Sequence, residues 1–216
     1  MSGAAKEWAC RMTDPKREHW DEVYRTKAAD SVSWYQPTPG PSLRAIDELQ
    51  LPVTASLIDV GGGASSLVDR LVERGWLDLT VLDIAAPALD IAKTRLEDET
   101  ARIAWVIDDV TVWRPERQYD VWHDRAVFHF LTEPEQRLAY RRALQTGTSP
   151  ASVVIIATFA PDGPERCSGL PVQRYDAAAL VNEFSSVFAL EREWREEHMT
   201  PRGGRQWFQW CIFRRR

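Results

Sequence analysis

Short apolar runs alternate with longer amphipathic stretches along this chain, and the alternation predicts a layered α/β fold. Ser56 to Val60, Leu79 to Ile84, Ile103 to Ile107, Tyr119 to His123 and Ser152 to Phe159 are short and rich in branched or aromatic residues. They read as strands buried on both faces. Between them apolar residues recur at helical spacing. Leu67, Leu71 and Val72 predict a helix stopped by Gly75, and Pro87 to Leu96 predicts another with proline in its first turn. Thr132-Glu133-Pro134-Glu135 has the form of a capping box opening a helix that ends near Gly147. Asp176 can cap a helix running through Phe184. Two last strands, Phe188 to Trp194 and Arg205 to Arg214, are joined by a short hairpin-like connection from Glu196 to Gly204. The expectation is a seven-stranded, mostly parallel sheet with an antiparallel last strand and helices on both faces.

The segment before the first strand follows a different pattern. Residues 1–15 mix small, charged and helix-breaking residues and are expected to fray. From Pro15 a helix is predicted, with Trp20, Val23 and Tyr24 on one face. Ser33 to Pro41 carries three prolines, which excludes a helix or a central strand there, and Ser42 to Leu49 predicts a further helix. Residues 1–41 are expected to form an aromatic lid or extension on a domain spanning 42–216. Trp20, Tyr24, Trp34 and Tyr35 either anchor this segment to the sheet or cover a cationic ligand. Rings over a cation contribute roughly 0.5–2 kcal/mol, and the two roles are compatible.

Composition narrows the class. The chain has 216 residues, 44% hydrophobic, with a formal net charge of −5. That supports one domain with a large core, and it argues against a nucleic-acid partner, which usually leaves a basic face. Cys10, Cys167 and Cys211 are scattered, without metal-ligand spacing, and are expected as free thiols with no bound metal. No apolar run approaches membrane-spanning length and the N-terminus lacks a signal-peptide pattern, so a cytoplasmic protein without a membrane partner is expected. Nothing in the pattern sets an oligomeric state.

The candidate chemistry centres on Asp59-Val60-Gly61-Gly62-Gly63, where the first strand turns into a helix. Glycines allow positive φ and let a ligand lie against bare backbone, and the helix N-terminus offers unpaired N–H groups. A dinucleotide turn carries a third glycine where this chain has Ser66, and it receives a pyrophosphate. The Asp59 carboxylate would repel a pyrophosphate and suits an ammonium group. Asp83 ends the second strand, where a carboxylate takes a ribose diol in nucleotide-binding units of this type. Asp108 and Asp109, before Val110, end the third strand. His123, Asp124, Arg125 and His129 cluster after the fourth strand, at the switch point where such sheets bind ligands.

These motifs, in this order, resemble those of class I S-adenosylmethionine (SAM) methyltransferases, which have a Rossmann-like sheet. His19-Trp20-Asp21-Glu22-Val23-Tyr24, Asn182-Glu183-Phe184 and Gly203-Gly204-Arg205 are also similar to the elongation-factor lysine methyltransferase group. The resemblance implies SAM as cofactor and S-adenosylhomocysteine (SAH) as product. It implies that Asp59, Gly61, Gly62 and Gly63 hold the methionine end, Asp83 and Ile84 the ribose, and Asp108, Asp109 and Val110 the adenine. Trp20, Tyr24, Trp34 and Asp124 complete the expected cofactor contacts. Asp124 or His129 is expected to orient or deprotonate the acceptor. The implied reaction is in-line methyl transfer to N, O or S of a small molecule or a protein side chain such as lysine. Asp124-Arg125-Ala126-Val127 stands where amino-methylating nucleic-acid enzymes carry Asn/Asp-Pro-Pro-aromatic, which disfavours base methylation. Two alternatives stay open: a nicotinamide-dependent oxidoreductase, and a catalytically silent SAM-binding module.

Overall fold

The computed structural model describes residues 14–216. The expected fraying of residues 1–15 therefore falls mostly outside the described residues, as does Cys10. Asp14 and Pro15 are ordered. The Asp14 carboxylate accepts from the Lys16 N–H at 3.0 Å and caps helix α1 (Pro15–Thr26), with proline in the first turn.

Helix α2 (Gly40–Glu48) leads into β1 (Ser56–Val60), α3 (Leu67–Glu73), β2 (Asp78–Asp83), α4 (Ala86–Leu96), β3 (Ile103–Ile107) and β4 (Tyr119–Arg125). Helix α5 (Pro134–Thr146) and β5 (Thr148–Phe159) follow. A two-residue hairpin, β6 (Arg166–Cys167) with β7 (Leu170–Pro171), interrupts the next connection. Helix α6 (Ala177–Phe184), β8 (Phe188–Met199) and β9 (Arg205–Arg215) close the chain.

Seven strands form one sheet in the order β3-β2-β1-β4-β5-β9-β8. β1 pairs in parallel with β2 and with β4, β2 with β3, and β4 with β5. β9 runs antiparallel between β5 and β8. Strand order reverses between β1 and β4, which opens a crevice at their carboxyl ends. The chain thus has the expected mostly parallel sheet with an antiparallel last strand.

Both faces of the sheet are buried along its central strands, while β3 and β8 at the edges are more exposed. Alternate residues point to opposite sides. Leu57, Val81, Val121 and Ile155 pack with Leu43, Leu67 and Leu71, while Ile58, Leu82, Trp122 and Val154 pack with Tyr140, Leu144 and Phe184. The Asp120 carboxylate accepts from the Ser56 N–H and hydroxyl at 2.8 and 2.9 Å, which fixes where β4 starts beside β1.

Several boundaries differ from expectation. β5 starts at Thr148 rather than Ser152. α2 begins at Gly40 rather than Ser42, because Pro41 fits the first turn of a helix. β4 runs two residues past His123, so Asp124 and Arg125 are part of the strand. β8 continues to Met199 through alternating charges, because ladder bonds to β9 extend it where side-chain apolarity gives no signal. Those charges also blunt an exposed sheet edge. Among the described residues no helix is long and apolar enough to cross a membrane.

Candidate active site

The carboxyl ends of β1 to β4 meet in a cavity of about 280 Å³. Each strand delivers one set of groups to its wall: Val60 and Gly61 after β1, Asp83 and Ile84 after β2, Asp108, Asp109 and Val110 after β3, and Arg125, Ala126 and Val127 after β4. A smaller hollow of about 60 Å³ continues behind it, against Asp59, Gly62, Ala64, Ser65 and His123. Tyr24, Trp34, Gly61 and Arg125 line both.

The glycine turn is cut to this space. Gly61 has φ 69°, and a Cβ there would lie 2.0 Å from the Val127 methyl. A Cβ on Gly63, at φ 40°, would lie 2.6 Å from Asp83 Oδ2. The turn is held from outside by Arg95 on α4, which donates to the Ala64 and Ser65 carbonyls at 3.1 and 2.7 Å while pairing with Asp69. Ser65 Oγ accepts from the Leu67 N–H at 3.1 Å and caps α3.

The acids differ in what they have left to offer. Asp83 Oδ1 accepts from the Ala85 N–H at 2.8 Å. Burial pushes the Asp83 carboxyl up to about 7, and nearby Asp59 adds to the rise. Asp108 accepts from the Asp109 N–H at 2.9 Å, and Asp109 Oδ1 accepts from the Thr111 N–H and hydroxyl, both at 2.8 Å. Both therefore cap the turn after β3 while lining the cavity, and Asp109 Oδ2 faces Lys16 of α1 at 3.6 Å. Asp59 Oδ1 pairs with His123 Nδ1 at 2.7 Å, and His123 Nε2 lies 3.0 Å from the Ser42 hydroxyl.

The roof is aromatic. Trp20 meets Trp34 and Phe130 edge to face, with ring centroids 5.6 and 5.1 Å apart, and Tyr24 meets Trp34 at 6.3 Å. Burial holds the Tyr24 phenol protonated far above its ordinary range.

Residues 57–147 match the family described as a methyltransferase domain. That match spans less than half of the chain. Among curated proteins, EEF1A lysine methyltransferase 2 of Mus musculus is 26% identical over 91 residues, covering 38% of this chain and 37% of that protein. The chain thus matches little more than a third of that relative's length. A solved structure reported for conversion of a disulfide bond into a thioacetal group during echinomycin biosynthesis aligns with TM-score 0.74 and 19% identity, over 92% of both chains. Burkholderia thailandensis 1,6-didemethyltoxoflavin-N1-methyltransferase, solved with its substrate and SAH, aligns with TM-score 0.69 and 17% identity, over 100% of this chain and 91% of that one. At these identities the structural likeness establishes the fold.

Within the matched segment, the structure places both expected catalytic residues, Asp124 and His129, inside the core. Asp124 is fully buried and turned away from the cavity. Its Oδ1 accepts from the Val127 N–H at 2.9 Å, and its Oδ2 accepts from the Tyr140 hydroxyl at 2.7 Å. Burial pushes its carboxyl up to about 6, against the pull of these donors. It lines neither cavity; it holds the 126–128 turn, in which Ala126 takes φ 74°. His129 is equally buried and lines neither cavity. Its Nδ1 faces the Phe159 N–H at 3.3 Å, and burial, helped by Arg125, pulls it down to about 3, so it stays a neutral imidazole.

Sequence reasoning missed other wall residues. Lys16, Phe130, Gln136, Cys167, Leu170 and Pro171 all line the larger cavity. The last three come from the 160–174 loop, whose length and its proline and glycine content mark it in the sequence as a wall of the acceptor pocket, though periodicity gives no orientation for its individual residues.

Proposed function

We propose that this methyltransferase transfers a methyl group from SAM to a nitrogen, oxygen or sulfur nucleophile on a small molecule or a protein side chain. One observation carries the reading: a single cavity is lined at once by Gly61, Asp83 and Asp109-Val110, contributed by the ends of three consecutive strands. The residues present fit the cofactor. Asp83 brings a carboxylate to the cavity wall for a diol, the glycine turn runs so close to Val127, Val81 and Asp83 that it admits no Cβ and leaves bare backbone at the wall, and Asp59 places a carboxylate behind it for an ammonium. Asp109 and the Val110 N–H face the adenine position. Bound SAM supplies a methyl already activated on a sulfonium.

The protein's own work is then alignment and exclusion of water, an effect worth up to about 7–11 kcal/mol. Trp20, Tyr24 and Trp34 close the roof and present ring faces to a cation. Asp124, through the 126–128 turn, sets Val127 against Gly61. With Asp124 and His129 inside the core, the reading gives no side chain the task of deprotonating the acceptor. It therefore favours a nucleophile that reaches the site already deprotonated.

The relatives act on both acceptor types, a lysine methyltransferase and a toxoflavin N-methyltransferase by name, and the acceptor class follows from neither. Ser66 in place of a third glycine and the antiparallel β9 count against the nicotinamide alternative. The test is calorimetric titration with SAM, SAH and NAD, followed by an SAH-release assay over candidate acceptors. SAM and SAH should bind and NAD should not. Absence of SAM binding would sink the reading, and binding without release against any acceptor would favour the silent module.

A further inference from the structure

Arg125 is the one cation on the walls of the two cavities that lacks an acidic partner among the described residues. Its Nη1 donates to the Trp34 carbonyl at 3.0 Å, and its guanidinium lies 4.6 Å over the Phe208 ring. The side chain is only partly buried, yet its Nε and Nη2 are shielded from solvent and have no hydrogen-bond partner. The nearby acids are committed elsewhere. Asp59 is paired with His123, and Glu196 accepts from Gln36 and from the Trp210 indole. Cys167 does not answer as a thiolate, because burial pushes its thiol up to about 11. Burial also lowers the Arg125 pKa from its ordinary value, which marks how poorly the charge is compensated.

Nε and Nη2 form one edge of the guanidinium, with two parallel N–H donors spaced for a planar carboxylate. Building on the methyltransferase reading, we propose that Arg125 is the receptor for a carboxylate in the loaded enzyme. One uncompensated positive charge matches one monoanion. Two sources share this chemistry. The smaller cavity leads from Arg125 towards Gly62 and Ser65, where the methionine α-carboxylate of the cofactor would lie. The larger leads towards Trp20 and Leu170, where an acceptor with an apolar body and a carboxylate would lie. In the second case the guanidinium also repels an ammonium, so a small anionic acceptor is favoured over a lysine side chain.

The experiment compares wild type, Arg125→Met and Arg125→Lys by calorimetry. SAH and 5′-methylthioadenosine, which lacks the amino-acid end, probe the first source. Benzoate and cinnamate beside their amides, with and without SAH, probe the second. A loss of more than about tenfold in SAH affinity in Arg125→Met, with methylthioadenosine binding unchanged, assigns the carboxylate to the cofactor. Unchanged SAH affinity, with a wild-type preference of more than about tenfold for acids over amides that Arg125→Met abolishes, assigns it to the acceptor. Arg125→Lys should keep part of either effect, and an unaltered thermal midpoint separates lost recognition from lost folding. Equal SAH affinity in wild type and Arg125→Met, together with no preference for acids over amides, overturns the proposal. Wild type that binds no SAH defeats the methyltransferase reading alone, since the acid–amide comparison on unloaded protein still decides Arg125.

Discussion

Asp83 and Asp124 both end strands of the sheet and both have raised pKa values, yet their environments assign them opposite tasks. Asp83 has one oxygen on the Ala85 N–H and the other beside Gly63 of the glycine turn, and its side chain lines the cavity. Its carboxyl, pushed up to about 7 by burial, is the form with acceptors free only above that value. Affinity for SAH should therefore fall as pH drops from about 8 to about 6, since protonation removes an acceptor that ribose hydroxyls need. Binding favours the charged form, so it should release a proton in that window, read as a buffer-dependent calorimetric enthalpy. Asp83→Ala should weaken SAH at least about tenfold, from roughly 1.5–3 kcal/mol of charge-assisted hydrogen bonding, and should flatten the pH profile. Unchanged affinity would remove Asp83 from the site. Asp124 satisfies a buried hydroxyl and backbone donors, with Trp122 donating in turn to Tyr140 at 3.0 Å. Asp124→Ala strips the acceptor from that network and should cost about 3 kcal/mol of stability. Urea unfolding measures it, with Asp83→Ala as the comparison expected to lose ligand and keep the fold.

Among the elements, α1 and the Pro-rich segment after it close the cavity. They are tied to the sheet at several points: Lys16 reaches Asp109, Trp34 gives its carbonyl to Arg125, Trp20 packs on Phe130, Gln36 donates to Glu196 on β8, and His198 of β8 meets the Ser33 carbonyl at 2.8 Å. The segment therefore reaches from the end of β3, across the end of β4, to β8, over the larger cavity. Trp34→Leu should lower SAM affinity about two- to thirtyfold and leave SAH, which carries no sulfonium charge, nearly unaffected. Equal losses for both ligands would mean that Trp34 only fills space. The carbonyl that accepts from Arg125 is backbone and survives the substitution. The loop after β5 supplies the opposite wall through Cys167 and Leu170, with Gln173 N–H bonded to the His129 carbonyl at 2.8 Å. His129 thus contributes backbone and packing where a chemical role was expected.

At the scale of the whole molecule, the sheet brings together groups far apart in sequence. The crevice between β1 and β4 exists because the crossovers after β1 and after β3 leave in opposite directions. β8 and β9 widen the sheet beyond β5, and Phe208 on β9 supports the Arg125 guanidinium from below. The strand pattern, the acids at strand ends and the glycine turn were legible in the sequence, because each depends on neighbours close along the chain. Short apolar runs need two covered faces, and a bend at positive φ needs glycine. Which of His123, Asp124 and Arg125 faces the ligand was not legible. Successive strand residues point to opposite faces, so the answer depends on where β4 ends and which layer covers each face. β4 runs two residues further than its apolar pattern, and that places Asp124 under Tyr140 and Arg125 at the cavity. The sequence by itself determined the scaffold and the cofactor-facing turn, through local periodicity and backbone sterics. Only the tertiary structure decided which residues cover and wall the cavity and the direction of each polar side chain, because those depend on contacts between segments that have no fixed spacing along the chain.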